Sequence, residues 1–434
     1  MTAHAIPRST AETTLVKQFE AQSDLAVSPR RAAAFKSFAD RGLPTRRFEA
    51  WHYTDLRAAM ADAAPLAPAP DPAAIENARQ ALAGRKKIGL ARLVMLNGRL
   101  IADLSEGLPA GVAVVRREAQ PLDVEDPMVA LIEAMSLDDC AVEVADGGEI
   151  AEPIEIVHMT SGEGAHSIYS RIEIAVGVGA RASFVETFLG AGKGVQRHAA
   201  ATLRLAKGAR LKHVAVVDDA AELHLESQIV ELDEKAELNA FALVSGGVLT
   251  RRQIFAKLVG EEAKIALGGL ALLDGSRRAD TTLQVVHSAP GGTSREFYRA
   301  IVDDEAIGIF QGKVIVANDA QKTDGAMKSQ AILLSPLAQM NTKPELEIFA
   351  DDVVCGHGAT VGSLDPEQVF YLQARGIPKD DAESMLLEAF GREAIDRVED
   401  EMLAEALCAS LCAWLGSRGA TAPRRGEATT ETRA

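Results

Sequence analysis

The sequence predicts a mainly β fold, a solenoid of stacked coils flanked by a helical region on each side. Three observations lead there. Short β-rich runs separated by turn residues fill residues 141–364, helical spacing is confined to either side of them, and one turn pattern recurs within them. The recurring segments are GARASFVETFLG from Gly179, GARLKHVAVVDD from Gly208, KAELNAFALVSG from Lys235 and EAKIALGGLALLDG from Glu262. Their turn alanines fall at 180, 209, 236 and 263, intervals of 29, 27 and 27 residues. Strands repeated at such a period, with no helix in the repeat, describe stacked coils built as two or three sheets. A β-sandwich gives strands at similar spacing, but its strands meet different neighbours and do not repeat one another.

The elements follow in chain order. Residues 1–75 carry helical spacing, as in Ala32, Phe35, Phe38 and Ala39, and end in a linker whose prolines at 65, 68, 70 and 72 forbid a regular helix. Residues 76–140 read as a small mixed α/β subdomain, where Leu93, Val94, Met95 and Leu96 lead into the hairpin signal Asn97-Gly98, followed by Leu100 and Ile101. The solenoid occupies 141–364. A C-terminal helical domain spans 365–416: Pro366 suits a first helical turn after Asp365, and Gly376-Ile377-Pro378 ends that helix before another begins near Asp380. In the last helix Ile395, Val398, Met402, Ala406 and Trp414 form an apolar stripe opposite Arg392, Glu399, Asp400 and Glu401. Residues 417–434 are polar and are expected to form a disordered tail.

Composition narrows the function. At 434 residues the chain is long enough for two to four domains at about 100–200 residues each. Acidic residues outnumber basic ones 62 to 46, a net charge of −16 that disfavours nucleic-acid binding. Cys140, Cys355, Cys408 and Cys412 are too few and too scattered for a disulfide framework, which fits a reducing compartment. The first thirty residues lack a basic start followed by an apolar run, and no stretch approaches membrane-spanning length, so a cytoplasmic protein is expected.

The common catalytic motifs are missing. Gly190-Ala-Gly-Lys-Gly194 is glycine-rich, but Lys193 is followed by Gly, and no phosphate-binding P-loop, nucleophile elbow or HExxH pair occurs in the sequence. The segment that stands out is Asp351-Asp-Val-Val-Cys355-Gly-His357-Gly-Ala-Thr360. In an extended strand Cys355 and His357 project to one face, with Gly356 adding no bulk between them. A thiolate and an imidazole suit iron or zinc. A cluster needs about four protein ligands, and no second pair is suitably spaced, so another chain would have to complete such a site. Two other readings stay open: Cys355 as a small core residue with His357 at the surface, and a Cys-His nucleophile pair lacking an identifiable orienting group. Cys408 and Cys412 share a helix face and read as buried thiols beside Leu411 and Leu415. His158, His166, His198, His213, His224 and His287 are scattered through the repeats and read as satisfied polar residues on strands.

The stretch from Leu333 to Phe390, LLSPLAQMNTKPELEIFADDVVCGHGATVGSLDPEQVFYLQARGIPKDDAESMLLEAF, resembles the SufB/SufD family of iron-sulfur cluster assembly proteins almost throughout. Phe48-Glu-Ala-Trp51-His-Tyr-Thr-Asp-Leu56 is similar to that family's N-terminal tryptophan and tyrosine-threonine motif, although a helix terminus anchored by a buried Trp would look the same. The CGHGATVG run, and the lack of an N-terminal cysteine cluster, place the resemblance on the SufD side. It implies a right-handed parallel β-helix core between helical domains, acting as a scaffold and not as an enzyme. It further implies pairing with SufB through the β-helices and recruitment of the ATPase SufC through C-terminal elements. His357 would be a ligand of a transient iron-sulfur cluster shared with SufB, and Cys355 a neighbouring thiol. Reduced FAD accompanies the assembled complex in this family, with no site placed on this chain. Solenoid edges favour pairing, so a homodimer of the isolated chain is also expected.

Two rival functions fit a solenoid of this kind. Many β-helices act on polysaccharides, but those need sugar-stacking aromatics, and only 4% of this chain is aromatic. The other rival is a structural binding module in which Cys355 and His357 are incidental.

Overall fold

A computed structural model describes residues 7–22, 28–117 and 120–421. Its centre is a solenoid of two sheets, one of ten strands and one of nine. From Asp139–Val144 to Val354–Gly362 successive strands alternate between the sheets, and each pairs in parallel with the strand two places on, giving eight coils. The register is unbroken along the stack: Lys264 faces Thr293, Thr293 faces Asp324, and Asp324 faces Val354.

The repeated turn explains the period. Gly179, Gly208, Lys235, Glu262, Gly291 and Lys322 all adopt left-handed backbone with φ between 56° and 71°. Each donates its N–H to a turn carbonyl of the next coil at 2.7–2.9 Å, which locks the coils together. The following residue is fully buried alanine at 180, 209, 236 and 263, because the corner has room for a methyl group and little more. Lys235 and Glu262 hold this conformation without being glycine, at a cost of about 1 kcal/mol each. Their side chains pair across the corner at 3.8 Å.

The helices, in chain order, are α1 (Thr10–Ala21), α2 (Pro29–Arg41), α3 (Leu56–Ala59), α4 (Pro72–Ala83) and α5 (Pro127–Met135), then α6 (Pro366–Gln373), α7 (Lys379–Ile395) and α8 (Glu401–Thr421). Pro72 belongs to no linker. It opens α4 behind the Asp71 cap, since proline at the first helical position forfeits no hydrogen bond. The segment expected as a separate subdomain is the start of the solenoid itself. Its strand Ala91–Leu96 pairs in parallel with Ile154–Met159, and Asn97-Gly98 makes the expected tight turn with both residues left-handed.

The N-terminal helices and α5 cover the outer face of the nine-stranded sheet, where Leu15, Phe38 and Trp51 pack with Tyr169, Ala200 and Leu225. Trp51 is the anchor. Its indole N–H donates to Asp126 Oδ2 at 2.9 Å, and the Arg251 guanidinium lies 3.7 Å from the ring centre. Arg251 in turn pairs with Asp280, which also accepts the Thr54 hydroxyl.

The opposite face, on the ten-stranded sheet, is covered by α7 and α8. Leu387, Ile395, Leu403, Leu407, Leu411 and Trp414 pack on Val185, Val214, Phe241, Leu270, Phe297 and Ile301. The expected stripe is corrected here: Met402 is exposed, and the buried seam of α8 runs through Leu403, Leu407, Leu411 and Trp414. Glu399 adopts left-handed backbone between α7 and α8, so the helical phase restarts and residues 395 and 398 do not extrapolate across it. The helix α8 runs through Thr421, past the expected start of the tail at 417. The remainder of that tail lies outside the described residues.

Candidate functional site at the open end of the solenoid

Cys355 and His357 sit on Val354–Gly362, the last strand of the ten-stranded sheet, and its outer edge pairs with no strand among the described residues. Cys355 stands opposite Gly325 and His357 opposite Met327. Met327 is buried in the solenoid core, and Cys355 packs against the same core, so this parity of the strand faces inward. In every earlier coil such a row is covered by the next coil. Here nothing follows, so His357 is exposed and Cys355 is half-buried. Ile348, Phe349, Val354 and Val361 are exposed around the same end, Val354 to 74%.

Partial burial pushes the Cys355 thiol up, and the Asp324 and Glu296 carboxylates add to this, while the Gly325 backbone opposes it. Among the described residues no group of three or more His, Cys, Asp or Glu side chains is placed to hold a metal ion. Cys355 and His357 therefore supply two donors at a rim, and no third His, Cys, Asp or Glu side chain among the described residues completes a site with them.

The solenoid interior is more polar than the sequence reading anticipated. Glu186 accepts hydrogen bonds from His158 at 2.7 Å and His213 at 2.8 Å, and Gln228 reaches His213 Nδ1 at 3.0 Å. Burial alone would raise the Glu186 carboxyl, but the two imidazoles hold it down at about 2. Glu226 and Arg252, on adjacent coils, form two parallel hydrogen bonds of 2.9 Å. His166 bonds Thr160 at 2.7 Å. His198, His224 and His287 depart from the expectation of satisfied strand histidines: all are buried, and their ring nitrogens lack hydrogen-bond partners. Burial lowers His198 to about 3 and His287 to about 4, so both are neutral in the fold.

One feature near the rim carried no sequence signal strong enough to single it out. On the strand Thr293–Val302 the inward residues Ser294, Glu296 and Tyr298 are all polar and buried, and none of their side-chain oxygens has a hydrogen-bond partner. Ser329, opposite Tyr298 on the next coil, is likewise unpartnered. Burial pushes the Glu296 carboxyl up to about 8. The other cysteines are elsewhere. Cys140 is buried, with its thiol pushed up to about 12 by burial, and Cys408 is half-buried. Cys412 is exposed, against the expectation of a buried thiol, because the seam of α8 faces the sheet one residue away through Leu411. No helix among the described residues is long and apolar enough to cross a membrane.

A two-sheet parallel solenoid, roofed by helices on both faces and ending in an open Cys-x-His strand, places the chain in the β-solenoid class of proteins. A family model described as "SUF system FeS cluster assembly, SufBD core domain" matches residues 158–390. The iron-sulfur cluster assembly protein SufD of Escherichia coli is 31% identical over 401 residues, covering 88% of this chain and 92% of that protein. An iron-sulfur cluster assembly SufBD family protein of Synechocystis is 26% identical over 87% of this chain and 88% of its own length. SufD of Bacillus subtilis is 34% identical over a shorter stretch, 27% of this chain and 26% of the relative. The chain belongs to the SufB/SufD family of iron-sulfur cluster assembly proteins, with its resemblance on the SufD side.

Proposed function

We propose that this chain is the SufD-type scaffold subunit of the SUF machinery. It pairs with SufB through the open end of its β-helix and recruits the ATPase SufC through its C-terminal helices. Nascent clusters then form at the SufB–SufD seam, with His357 as a ligand and Cys355 as the neighbouring thiol. The observation that carries this reading is the uncovered last coil, where an unpaired strand edge, exposed apolar side chains and two soft donors coincide. An unpaired edge of this kind is a template for another chain, and a second solenoid would bring the missing donors with it. In the absence of SufB the same edge serves a second copy of this chain.

The surface offered to SufC is α6 with the start of α7. Phe370 is 71% exposed and Tyr371 and Met385 are also exposed, an apolar patch on a domain that already packs its other side against the sheet. Nucleotide hydrolysis belongs to SufC, and this chain contributes no reaction of its own. Approach of two SufC subunits displaces the C-terminal helices, and the stiff stack carries that displacement to the rim. The iron-sulfur cluster is cargo in this scheme. Reduced FAD is assigned no residue: the broad groove between α8 and the sheet mixes Arg85, Lys86, Lys87 and Lys212 with Glu399, Asp400, Glu401 and Glu405, a lining that singles out no pyrophosphate site. The setting is cytoplasmic.

Co-expression of the full chain with SufB and SufC tests the scheme. A stable three-part assembly is expected, with cluster absorbance lost in His357→Ala and reduced in Cys355→Ser, while Phe370→Ala with Tyr371→Ala releases SufC and leaves SufB bound. Failure to co-purify with SufB would overturn the pairing, and full cluster yield in both rim variants would overturn the ligand role.

A further inference from the structure

The space beneath Cys355 is shaped for something the chain does not itself supply. Gly325 lies under Cys355 in the ladder, and Ser294 lies under Gly325. A methyl group on Gly325 would stand 3.4 Å from Cys355 Sγ, 3.4 Å from Ser294 Oγ and 3.8 Å from Val314 Cγ1. Gly325 is not in the left-handed region, so the backbone places no demand for glycine there. What the missing side chain leaves is a gap about the size of one methyl group or one sulfur atom, with a thiol on one side and a hydroxyl on the other.

Ser294 faces that gap with unmet hydrogen-bonding capacity, and Glu296, one row along opposite Met327, adds to it. Ser294 is fully buried and its Oγ has no partner. Glu296, the next inward residue on the same strand, is 1% exposed, and neither carboxyl oxygen has a partner. Its burial keeps it neutral around physiological pH, so it is available as a donor. Buried polar groups are left unpartnered rarely, and such an exception asks for a ligand or a water. At the other side Cys355 is half-exposed at the open end, within reach of a second protein.

We propose that Cys355 carries a persulfide whose outer sulfur lodges in the gap over Gly325, held by Ser294 and Glu296. The proposal rests on the cluster-assembly reading only for the fate of the sulfur. The donor is a cysteine persulfide of another molecule. Cys355 Sγ attacks its outer sulfur, a new S–S bond forms, the donor S–S bond breaks, and the donor sulfur leaves with the electron pair and takes up the proton that Cys355 gives up. One sulfur atom changes hands, and nothing is oxidised or reduced overall. The new S–S bond of about 2.05 Å is shorter than the reach from Sγ to the methyl position, so the outer sulfur fits on the thiol side of the gap.

The full chain, without partner or iron, is incubated with free cysteine persulfide, and sulfane sulfur is located by alkylation and peptide mass spectrometry at Cys140, Cys355, Cys408 and Cys412. Its loss to cyanide is then timed, with exposed Cys412 as the reference. The persulfide on Cys355 is expected to outlast that on Cys412 about tenfold, the scale of one or two hydrogen bonds. Gly325→Ala, whose methyl meets only ordinary contact distances, fills the gap and should bring the lifetime down to that of Cys412. Ser294→Ala and Glu296→Ala should each shorten it, while Glu296→Gln keeps a donor and preserves it. Thermal melts confirm that each variant is folded. No uptake at Cys355, a lifetime equal to that of Cys412, or a lifetime untouched by Gly325→Ala would overturn the proposal. Because no partner takes part, failure of SufB pairing or of cluster ligation gives a different result in a different assay.

Discussion

Replacing Trp51 by Ala should release the N-terminal region while leaving the rest of the molecule folded. The indole is 1% exposed, and burying about 200 Å² of ring at roughly 25 cal/mol per Å² stabilises the docked state by about 5 kcal/mol. Its N–H bond to Asp126 and the Arg251 guanidinium over the ring add to this, while partial collapse of the cavity takes some back. A net loss of about 3–5 kcal/mol follows. Such a loss read as local opening raises amide exchange in residues 28–60 by about 10²–10⁴-fold. The chain has two tryptophans, and the other, Trp414, belongs to α8 and packs on the opposite face. In Trp51→Ala the fluorescence of Trp414 therefore reports the C-terminal helices alone, and its urea midpoint should not move, since distant sites with no shared partners contribute additively. Trp51→Phe keeps an aromatic ring but loses the N–H donor and part of the buried ring area, so it should cost less than Trp51→Ala, about 2–3 kcal/mol. Less than tenfold faster exchange in the N-terminal region, or a Trp414 transition that shifts in step with it, would refute the reasoning.

Three further outcomes are expected. Glu226→Ala leaves Arg252 charged and unpaired inside the solenoid and should cost about 3–5 kcal/mol in urea melts, whereas Glu226→Leu with Arg252→Met should recover most of that loss; a double variant no better than the single would count against it. Glu296 is raised from 4.5 to about 8 in the fold, so the native state holds a proton that the unfolded chain releases, and stability is lost as pH rises from about 5 to 8. Glu296→Gln removes that slope, and its gain in melting temperature over the native sequence should be larger at pH 8 than at pH 5. A methyl group on Gly391 would stand 2.7 Å from Leu411 Cδ2, so Gly391→Ala should push α7 and α8 apart and red-shift Trp414 emission; unchanged emission would show that Leu411 gives way instead.

The coil period was legible in the sequence because two features recur together in four successive turns. From Gly179 to Glu262 the corner residue adopts left-handed backbone and the next side chain is a fully buried methyl, so Gly-Ala, Lys-Ala and Glu-Ala repeat at one spacing, whereas the later corners Gly291 and Lys322 are followed by Gly292 and Thr323 and lack that signal. The placement of Cys355 and His357 on one side of a strand was legible for the same kind of reason, since side-chain alternation depends on the backbone alone. That this side looks out of an open end was not, because it depends on what the next coil would have covered. The row Ser294, Glu296 and Tyr298 was also hidden. Alternation says that these three share a face, and a polar face ordinarily reads as the solvent side. Here both faces of the sheet are buried, one by the opposite sheet and one by α7 and α8, so polarity no longer tells inside from outside. The seam of α8 was misplaced by one residue because the left-handed Glu399 resets the helical phase, and periodicity cannot be carried across such a break.

The helices α7 and α8 grip five successive strands of the ten-stranded sheet, from Arg181–Leu189 to Thr293–Val302. A coil inserted or deleted under that grip would slide Leu387 and Leu411 about 4.8 Å off their seats, although every local rule of the stack would still be obeyed. The clasp therefore works as a gauge of length. It fixes the number of rungs beneath it, and with only the strands Asp324–Leu333 and Val354–Gly362 beyond, it holds the terminal thiol and imidazole roughly 10 Å from its upper border.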